Sequence, residues 1–454
     1  MSNPIPIKKG QSLNLKPLSD DRRFGTDGIR GPVDSTMNPL FVTKLGWAAG
    51  TVLKEEGISK VLIGKDTRIS GYMLESALEA GFISSGMDVI LLGPLPTPGV
   101  SFLANSNNQA GVVISASHNL FEDNGIKFFN KDGQKFSSEL ERRIETKLKQ
   151  EIETVKSIML GKATRMADAQ GRYIEFCKSN FMDLDLSNLS ILLDCANGAT
   201  YSVAPKVFEE LGAKVNTIAT EPDGVNINQN CGSTNPENIR EEIMKGDYDL
   251  GVSFDGDGDR ILVVSNTGKV LDGDDLLYIL SQKLNKESGI VGTLMSNKAL
   301  QLHLEENNIQ FCRTDVGDKY VLQKLLEKKW LLGGEPSGHL ICLDAAQTGD
   351  AVIAALKILN AIQDNGFSID DSVKGFNKFP QTLINLSVNN PNKIILNDKF
   401  WSEVTTIERK LGEKGRVLIR PSGTEPLIRI MVESENCKDA EDYSNRLAEL
   451  ASRL

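Results

Sequence analysis

Apolar and polar positions along the chain repeat one pattern three times. A short β-rich apolar run ends in a polar residue, an amphipathic helical stretch follows, and a second apolar run closes the unit. The first copy reads VLIGKDTRIS, YMLESALEAGFISSG and MDVILLG. The second reads LSILLDCANGAT, a helix near residues 202–211, and AKVNTIA. The third reads GIVGTLMSN, KALQLHLEENN and IQFCRTDVG. The matched entries to the second strand, Gly-Met-Asp-Val, Gly-Ala-Lys-Val and Asn-Ile-Gln-Phe, favour three related α/β domains. Past about Gly375 the pattern changes to strands interrupted by Asn, Pro and Gly. There follow RVLIRPSGTEPLIRIMVE and a closing helix with Tyr443, Leu447, Leu450 and Leu454 on one face, which predicts a separate, smaller α+β domain. The expected division is a flexible extension over 1–22, α/β domains over 23–165, 166–268 and 269–375, and an α+β domain over 376–454.

Length agrees with this division, since 454 residues exceed a single ordinary core. No apolar run approaches the roughly 18 residues of a spanning helix, so a membrane role is not expected. The N-terminal lysines lack the apolar stretch of a secretory signal. Six cysteines stand singly, with neither CxxC pairs nor the density of a disulfide scaffold, and fit a reducing cytoplasm. A net charge of −10 opposes binding to nucleic acid or anionic membranes, so an anionic substrate would require positive charge concentrated in a few loops.

Four loops carry the chemistry. Between the strand-like runs LGVSF and ILVVS lies Phe254-Asp255-Gly256-Asp257-Gly258-Asp259-Arg260. Carboxylates at alternate positions, separated by glycines, can converge on one hard cation, whereas in a bare acidic turn they would repel one another. An EF-hand is excluded because its sixth and twelfth positions, Gly and Glu, are Arg260 and Asn266 here. Magnesium suits a site with few protein ligands and room for phosphate or water. After the run GVVI comes Ile114-Ser115-Ala116-Ser117-His118-Asn119, which would present Ser117 at a strand end as a nucleophile or phosphoryl carrier. The third loop, Arg420-Pro421-Ser422-Gly423-Thr424-Glu425-Pro426 with Arg429 beyond it, combines hydroxyls, an open backbone and two arginines, as a phosphate dianion requires. The fourth, Gly333-Gly334-Glu335-Pro336-Ser337-Gly338-His339, sets a carboxylate and a hydroxyl two residues apart on a rigid turn, able to bond neighbouring sugar hydroxyls.

FGTDGIRG, the SASHN loop with DNGIKFF, DCANGAT, FDGDGDR, DVGDK, GGEPSGH and RPSGTEPLIR, in this order, resemble the α-D-phosphohexomutase superfamily from Arg23 to the C-terminus, and most closely its bacterial glucosamine-phosphate branch. The resemblance implies four domains around a central cleft, a phosphoserine at Ser117, and one magnesium ion per subunit held by Ser117, Asp255, Asp257 and Asp259. It places Arg30, His118 and Lys127 beside the phosphoserine, with Lys127 as the first candidate for the proton acceptor. Arg260 and Lys319 would line the cleft. Glu335 and Ser337, with His339 in the same loop, would grip the sugar. Arg420, Ser422, Gly423, Thr424 and Arg429 would hold the non-reacting phosphate.

The implied reaction is an isomerisation of glucosamine 6-phosphate and glucosamine 1-phosphate through a hexose bisphosphate, supplying amino-sugar precursors of the cell envelope. The alternatives are a phosphomannomutase/phosphoglucomutase and, from another class, a non-catalytic sugar-phosphate sensor, for which an intact Ser117 and three aspartates would be superfluous. A homodimer is left open. Two departures matter. Leu120 replaces the family's usual proline, which removes a rigid φ from the serine loop. Asp318 stands where the hexose branch more often has an aromatic, so its carboxylate would either meet an ammonium at C2 or brace its loop.

Overall fold

The structure is a computed structural model describing residues 24–25, 27–285, 288–388, 390–421 and 427–454. The expected extension over 1–22 and the candidate phosphate ligands Ser422, Gly423 and Thr424 lie outside the described residues.

Three mixed α/β sheets and one small antiparallel sheet follow one another along the chain. The first sheet is ordered Ile29–Pro32, Asp123–Phe129, Ala110–Ile114, Lys60–Lys65, Asp88–Pro94 and Ala163–Arg165. The second runs Val270–Leu271, Ile261–Ser265, Leu250–Phe254, Ser190–Asp194 and Lys214–Ile218, and the third Gln310–Thr314, Gly289–Thr293, Leu332–Gly334 and Leu340–Cys342. All three share a unit of four strands. The first strand lies between the second and the third, parallel to both, and the fourth returns antiparallel beside the third. Helices link the parallel strands, as a parallel pairing demands, and a hairpin joins the third strand to the fourth. The repeat read from the sequence is therefore present, and it is longer than the β-α-β core that the apolar pattern marks.

Strands buried on both faces explain the uninterrupted apolar runs: Ala110–Ile114, Leu250–Phe254 and Gly289–Thr293 are buried at every position. One hydrophobic cluster runs from Leu62 and Val113 in the first sheet through Ile191 and Val252 in the second to Ile290 and Leu356 in the third, so the three units share a core. In the last unit Gln381–Ser387, Leu427–Ser434 and Gly415–Pro421 form the antiparallel sheet. The closing helix, Cys437–Ser452, starts at Asn436, whose side chain accepts from the Lys438 N–H. It seats Leu447 in a separate core, with Tyr443, Leu450 and Leu454 packed against it. Among the described residues no helix is long and apolar enough to cross a membrane.

Candidate active site and metal centre

The hairpin between third and fourth strands is where each unit carries chemistry. In the first it presents Ser117, in the second Asp255, Asp257 and Asp259, and in the third Glu335 to His339. Shared topology aims all three loops toward one region, where hydrogen bonds stitch them together. Ser117 Oγ donates to Asp255 Oδ2 at 2.7 Å. The Ile261 N–H, just after the metal loop, donates to the Gly338 carbonyl at 3.0 Å. His339 Nδ1 stands 3.6 Å from Asp259 Oδ1.

The metal loop organises itself. Asp255 Oδ1 accepts from the backbone N–H groups of Gly258, Asp259 and Arg260, each at 3.1 Å, leaving Oδ2 to face the serine. Asp257 Oδ2 accepts from Thr97 Oγ1 at 2.6 Å and Lys127 Nζ at 2.7 Å, and Asp259 Oδ2 lies 3.4 Å from the same ammonium. One oxygen from each aspartate falls within 4.8 Å of the others, all three residues are buried, and Asp257 Oδ1 and Asp259 Oδ1 have no hydrogen-bond partner. Buried carboxylate oxygens without donors are costly, and an all-oxygen set of this kind fits a magnesium-sized hard cation.

Charge around the loop follows the same logic. Burial, reinforced by Asp259 and Asp257, raises the Asp255 carboxyl well above the usual carboxylate range. Burial acts to discharge Lys127, but Asp257 and Asp259 outweigh it and hold the ammonium charged. Burial likewise opposes the charge on Arg260, and Asp259 and Asp255 restore it. His118, whose Nδ1 is 3.2 Å from Ser117 Oγ, is pulled down to about 4 by burial and by the positive charges of Arg260 and Arg30, so it is neutral at neutral pH. The Nε atoms of Arg30 and Arg260 are buried without acceptors.

Ser117 has a left-handed backbone, φ 53°, unusual for serine. Its loop is held from outside. Arg68, buried against Asp66 with Nε 2.8 Å from Oδ2, donates to the carbonyls of Ser117 at 2.9 Å, Asn119 at 2.8 Å, Asp123 at 3.2 Å and Leu120. Asn228, from the second unit, donates to the carbonyls of Ser117 and Asn119, both at 2.9 Å. This bracing orders the loop without a proline at position 120. Arg68, Asn228, Asp66 and Thr97 escaped the sequence reading. The polar KDTR after the first strand is the signal that marks Asp66 and Arg68, while nothing local marks Asn228. Gly256 permits the approach of the two loops: a Cβ there would lie 2.6 Å from the Ser117 carbonyl oxygen and 2.7 Å from Asn228 Nδ2.

The remaining expected residues are distributed as follows. Glu335 is buried and accepts from the Gly317 N–H at 3.0 Å through Oε1, whereas Ser337 is exposed. Lys319 Nζ lies 2.8 Å from Glu141 Oε2 of the first unit. Asp318 pairs with Lys135 Nζ at 2.6 Å and has His339 Nε2 at 3.5 Å. Burial opposes its charge, but Lys135 and His339 hold it down at about 2. That carboxylate is already neutralised, which favours the bracing role over contact with an amine. Arg420 and Arg429 are directly paired across the last sheet, and no carboxylate forms an ion pair with either among the described residues. Burial and Arg429 pull Arg420 below its ordinary value.

Four family models, for phosphoglucomutase/phosphomannomutase alpha/beta/alpha domains I, II and III and the C-terminal domain, match residues 21–155, 171–268, 272–379 and 383–450. The chain is 51% identical over 444 residues to the phosphoglucosamine mutase of Legionella pneumophila (strain Corby), covering 96% of this chain and 98% of that protein. A phosphoglucomutase/phosphomannomutase family protein from Burkholderia thailandensis has a similar structure, with a TM-score of 0.80 at 25% identity over 96% of this chain and 98% of that one. So has the Aspergillus fumigatus N-acetylphosphoglucosamine mutase solved with GlcNAc-6P and magnesium, with a TM-score of 0.69 at 16% identity over 95% of each chain. The chain belongs to the phosphoglucomutase/phosphomannomutase family, and so to the phosphohexomutase superfamily of isomerases.

Proposed function

We propose that the protein interconverts glucosamine 6-phosphate and glucosamine 1-phosphate, with Ser117 as phosphoryl carrier. The observation that carries the reaction type is the buried hydrogen bond from Ser117 Oγ to one of three converging aspartates. The choice of sugar is supported by the 51% identity to a phosphoglucosamine mutase over nearly the whole chain.

With phosphate on Ser117, the free hydroxyl of the sugar phosphate attacks phosphorus, the P–O bond to the serine breaks, and the hydroxyl proton passes to a base. The product is a bisphosphate. After it turns over in the cleft, its other phosphate returns to Ser117 by the reverse chemistry. One magnesium ion held by Asp255, Asp257, Asp259 and the serine's phosphate would offset charge on the transferring group. Arg30 and Arg260 add positive charge, and neutral His118 can hydrogen-bond at the serine without adding to it. Lys127 remains the candidate proton acceptor, on a condition: Asp257 and Asp259 must first give their charge to the metal, because against the free carboxylates it stays an ammonium. Glu335, Ser337 and His339 would orient the sugar. Arg420 and Arg429, with Ser422, Gly423 and Thr424, would hold whichever phosphate is not reacting, so that one site serves both orientations.

The test is turnover of glucosamine, glucose and mannose 6-phosphates side by side, with magnesium and a bisphosphate primer, together with intact-mass analysis of Ser117. A phosphorylated Ser117 and a specificity constant highest for the glucosamine substrate are expected. A ratio of glucosamine to glucose at or below one overturns the substrate assignment. Full activity in Ser117→Ala overturns the carrier.

A further inference from the structure

The last unit keeps its own core, so its placement depends on contacts at its edge rather than on the packing that the other three units share. Contacts of this kind lie on the sheet face that carries the arginine pair. Arg420 stands opposite Arg429 in the ladder and Arg416 opposite Glu433, and since side chains alternate along a strand, all four share one face. The two pairs are four positions apart, about 13 Å along the strand. Glu433 is fully buried. Its Oε2 accepts from Arg416 Nε at 2.6 Å and from the Lys298 N–H at 3.2 Å, and its Oε1 accepts from Arg416 Nη2 at 3.2 Å. Arg416 Nη2 also donates to the Ser296 carbonyl at 2.8 Å. Between these two anchor points Asn297 holds the connecting segment, exchanging two hydrogen bonds of 3.0 Å with the backbone of Phe379. Three consecutive residues of the third unit, where the strand Gly289–Thr293 gives way to the helix Lys298–Glu306, thus hold both the sheet and its tether.

We propose that Glu433 and Arg416 are positioning residues for phosphate capture: they seat the last sheet on residues 296–298 and so set where Arg420 and Arg429 stand over the cleft. The carboxylate is the pivot. Without it the guanidinium loses its bonds to both carboxylate oxygens and the Lys298 N–H loses its acceptor, which leaves donors unpaired where the sheet is fastened. A tilt of about 5° there would carry the arginine pair about 1 Å, at the end of an arm of about 13 Å. Hydrogen bonds to phosphate oxygens tolerate a spread of only about half an ångström, so such a tilt would spoil a bidentate grip. Glu433, sealed from solvent and occupied by Arg416 and Lys298, acts on the phosphate through the arginines. This rests on the phosphate-holding role proposed above for Arg420 and Arg429.

The test is Glu433→Gln and Arg416→Met in the full-length enzyme, singly and together. Each is expected to raise KM for glucosamine 6-phosphate about tenfold while kcat falls less than about threefold, because a grip equal in ground and transition states shows in KM. The double variant should lie within about twofold of the poorer single one, as partners in one contact do. In an Arg420→Ala background Glu433→Gln should add no more than about twofold to KM, since the group it places is gone. Independent, multiplying effects of Glu433→Gln and Arg420→Ala overturn the seat. A collapsed kcat at the parental KM does so too, by putting the pair in the chemical step. Ser117 phosphate occupancy and the magnesium titration should match the parent's, which separates positioning from a loss of fold. If a single variant does not fold, the double, which removes both charges together, takes its place in the comparison with Arg420→Ala. The seat can also be read without turnover, from the distance between spin labels at the exposed Leu326 and Glu408 in a chain with Cys312 and Cys437 changed to serine. It should be narrow in the parent and broadened in Glu433→Gln, and a parental distribution in that variant overturns the proposal. A parent that turns over no hexose phosphate defeats the mutase reading, and the label distance then still judges the seat.

Discussion

The serine loop and the metal loop occupy the same place in two copies of one unit, yet they are held in opposite ways. The metal loop is self-contained: Asp255 gathers three N–H groups from its own turn, and the Asp255 N–H closes the loop on the Arg260 carbonyl. The serine loop is held mainly by others, with Arg68 and Asn228 contributing six hydrogen bonds to its carbonyls from 49 or more residues away. The difference follows from what each loop must do. Three mutually repelling carboxylates need a fixed local frame. In the role proposed for it Ser117 has to be placed relative to that frame, and its supports come from both units that meet there.

The most severe way to break this relation is to remove the ion that the aspartates are proposed to hold. Chelation should abolish turnover, by about a thousandfold or more if the ion offsets several kcal/mol of charge in the transition state, and magnesium should restore it. Steady-state isomerisation in chelated enzyme checks this, and undiminished turnover would reject the metal role. Next in size is Gly256→Ala, whose new methyl would push against the Ser117 carbonyl and Asn228. A displacement on the order of 1 Å predicts about a hundredfold loss in kcat, with metal affinity retained because the self-bonded loop needs no glycine Cα–H for its hydrogen bonds. Near-parental kcat would show that the two loops are not in tight register. Smaller again is Arg68→Met, which keeps the stem and deletes the donors to the serine loop. We expect roughly tenfold lower activity and, with Asp66 left buried without its partner, a stability loss of about 3–5 kcal/mol by urea unfolding. Magnesium titration should be unchanged. Parallel damage to metal binding would mean that the two loops do not have separate supports.

Most of the architecture was legible because the strands are buried on both faces and so wrote themselves as apolar runs. LGVSF and ILVVS are the two strands around the metal loop, residue for residue. The candidate site residues stood out because unusual chemistry concentrates in short motifs. What was hidden depends on distance along the chain. Arg68 meets Ser117 across 49 residues, Asn228 across 111 and Thr97 meets Asp257 across 160, and no local pattern marks such partners. The equivalence of the three hairpins was hidden too, since turns of different length and chemistry share only their position in the sheet. Asp318 illustrates the limit. Its carboxylate could be read from the sequence, but Lys135, which occupies it, lies 183 positions earlier.

The gentlest probe lies behind the metal loop, where the first N–H of the helix Ala351–Ile362 donates to the Gly258 carbonyl at 3.1 Å. Asp350 caps that helix by accepting from the Ile353 N–H at 3.0 Å, and Tyr173 donates to its two oxygens at 2.9 and 3.0 Å. Burial raises the Asp350 carboxyl from 3.8 to about 7, against the pull of the cap. The folded protein therefore binds more protons at this position than the unfolded chain between about pH 4 and 7. Its contribution is fully present below the lower value and is lost as pH rises through the upper one. Asp194 and Asp274 are raised to about 6 and about 7 by burial and act in the same direction, so only the difference between parent and variant isolates Asp350. Asp350→Asn keeps an acceptor for Ile353 and for Tyr173 and removes the titration. Its unfolding free energy should change less between pH 5 and 8 than the parent's, by an amount on the order of 1 kcal/mol or more, while kcat at neutral pH stays within about twofold. A variant with the parent's full pH slope would assign that slope to the other buried carboxyls. A large loss of kcat would show that the metal loop leans on this helix more than its own hydrogen bonds imply.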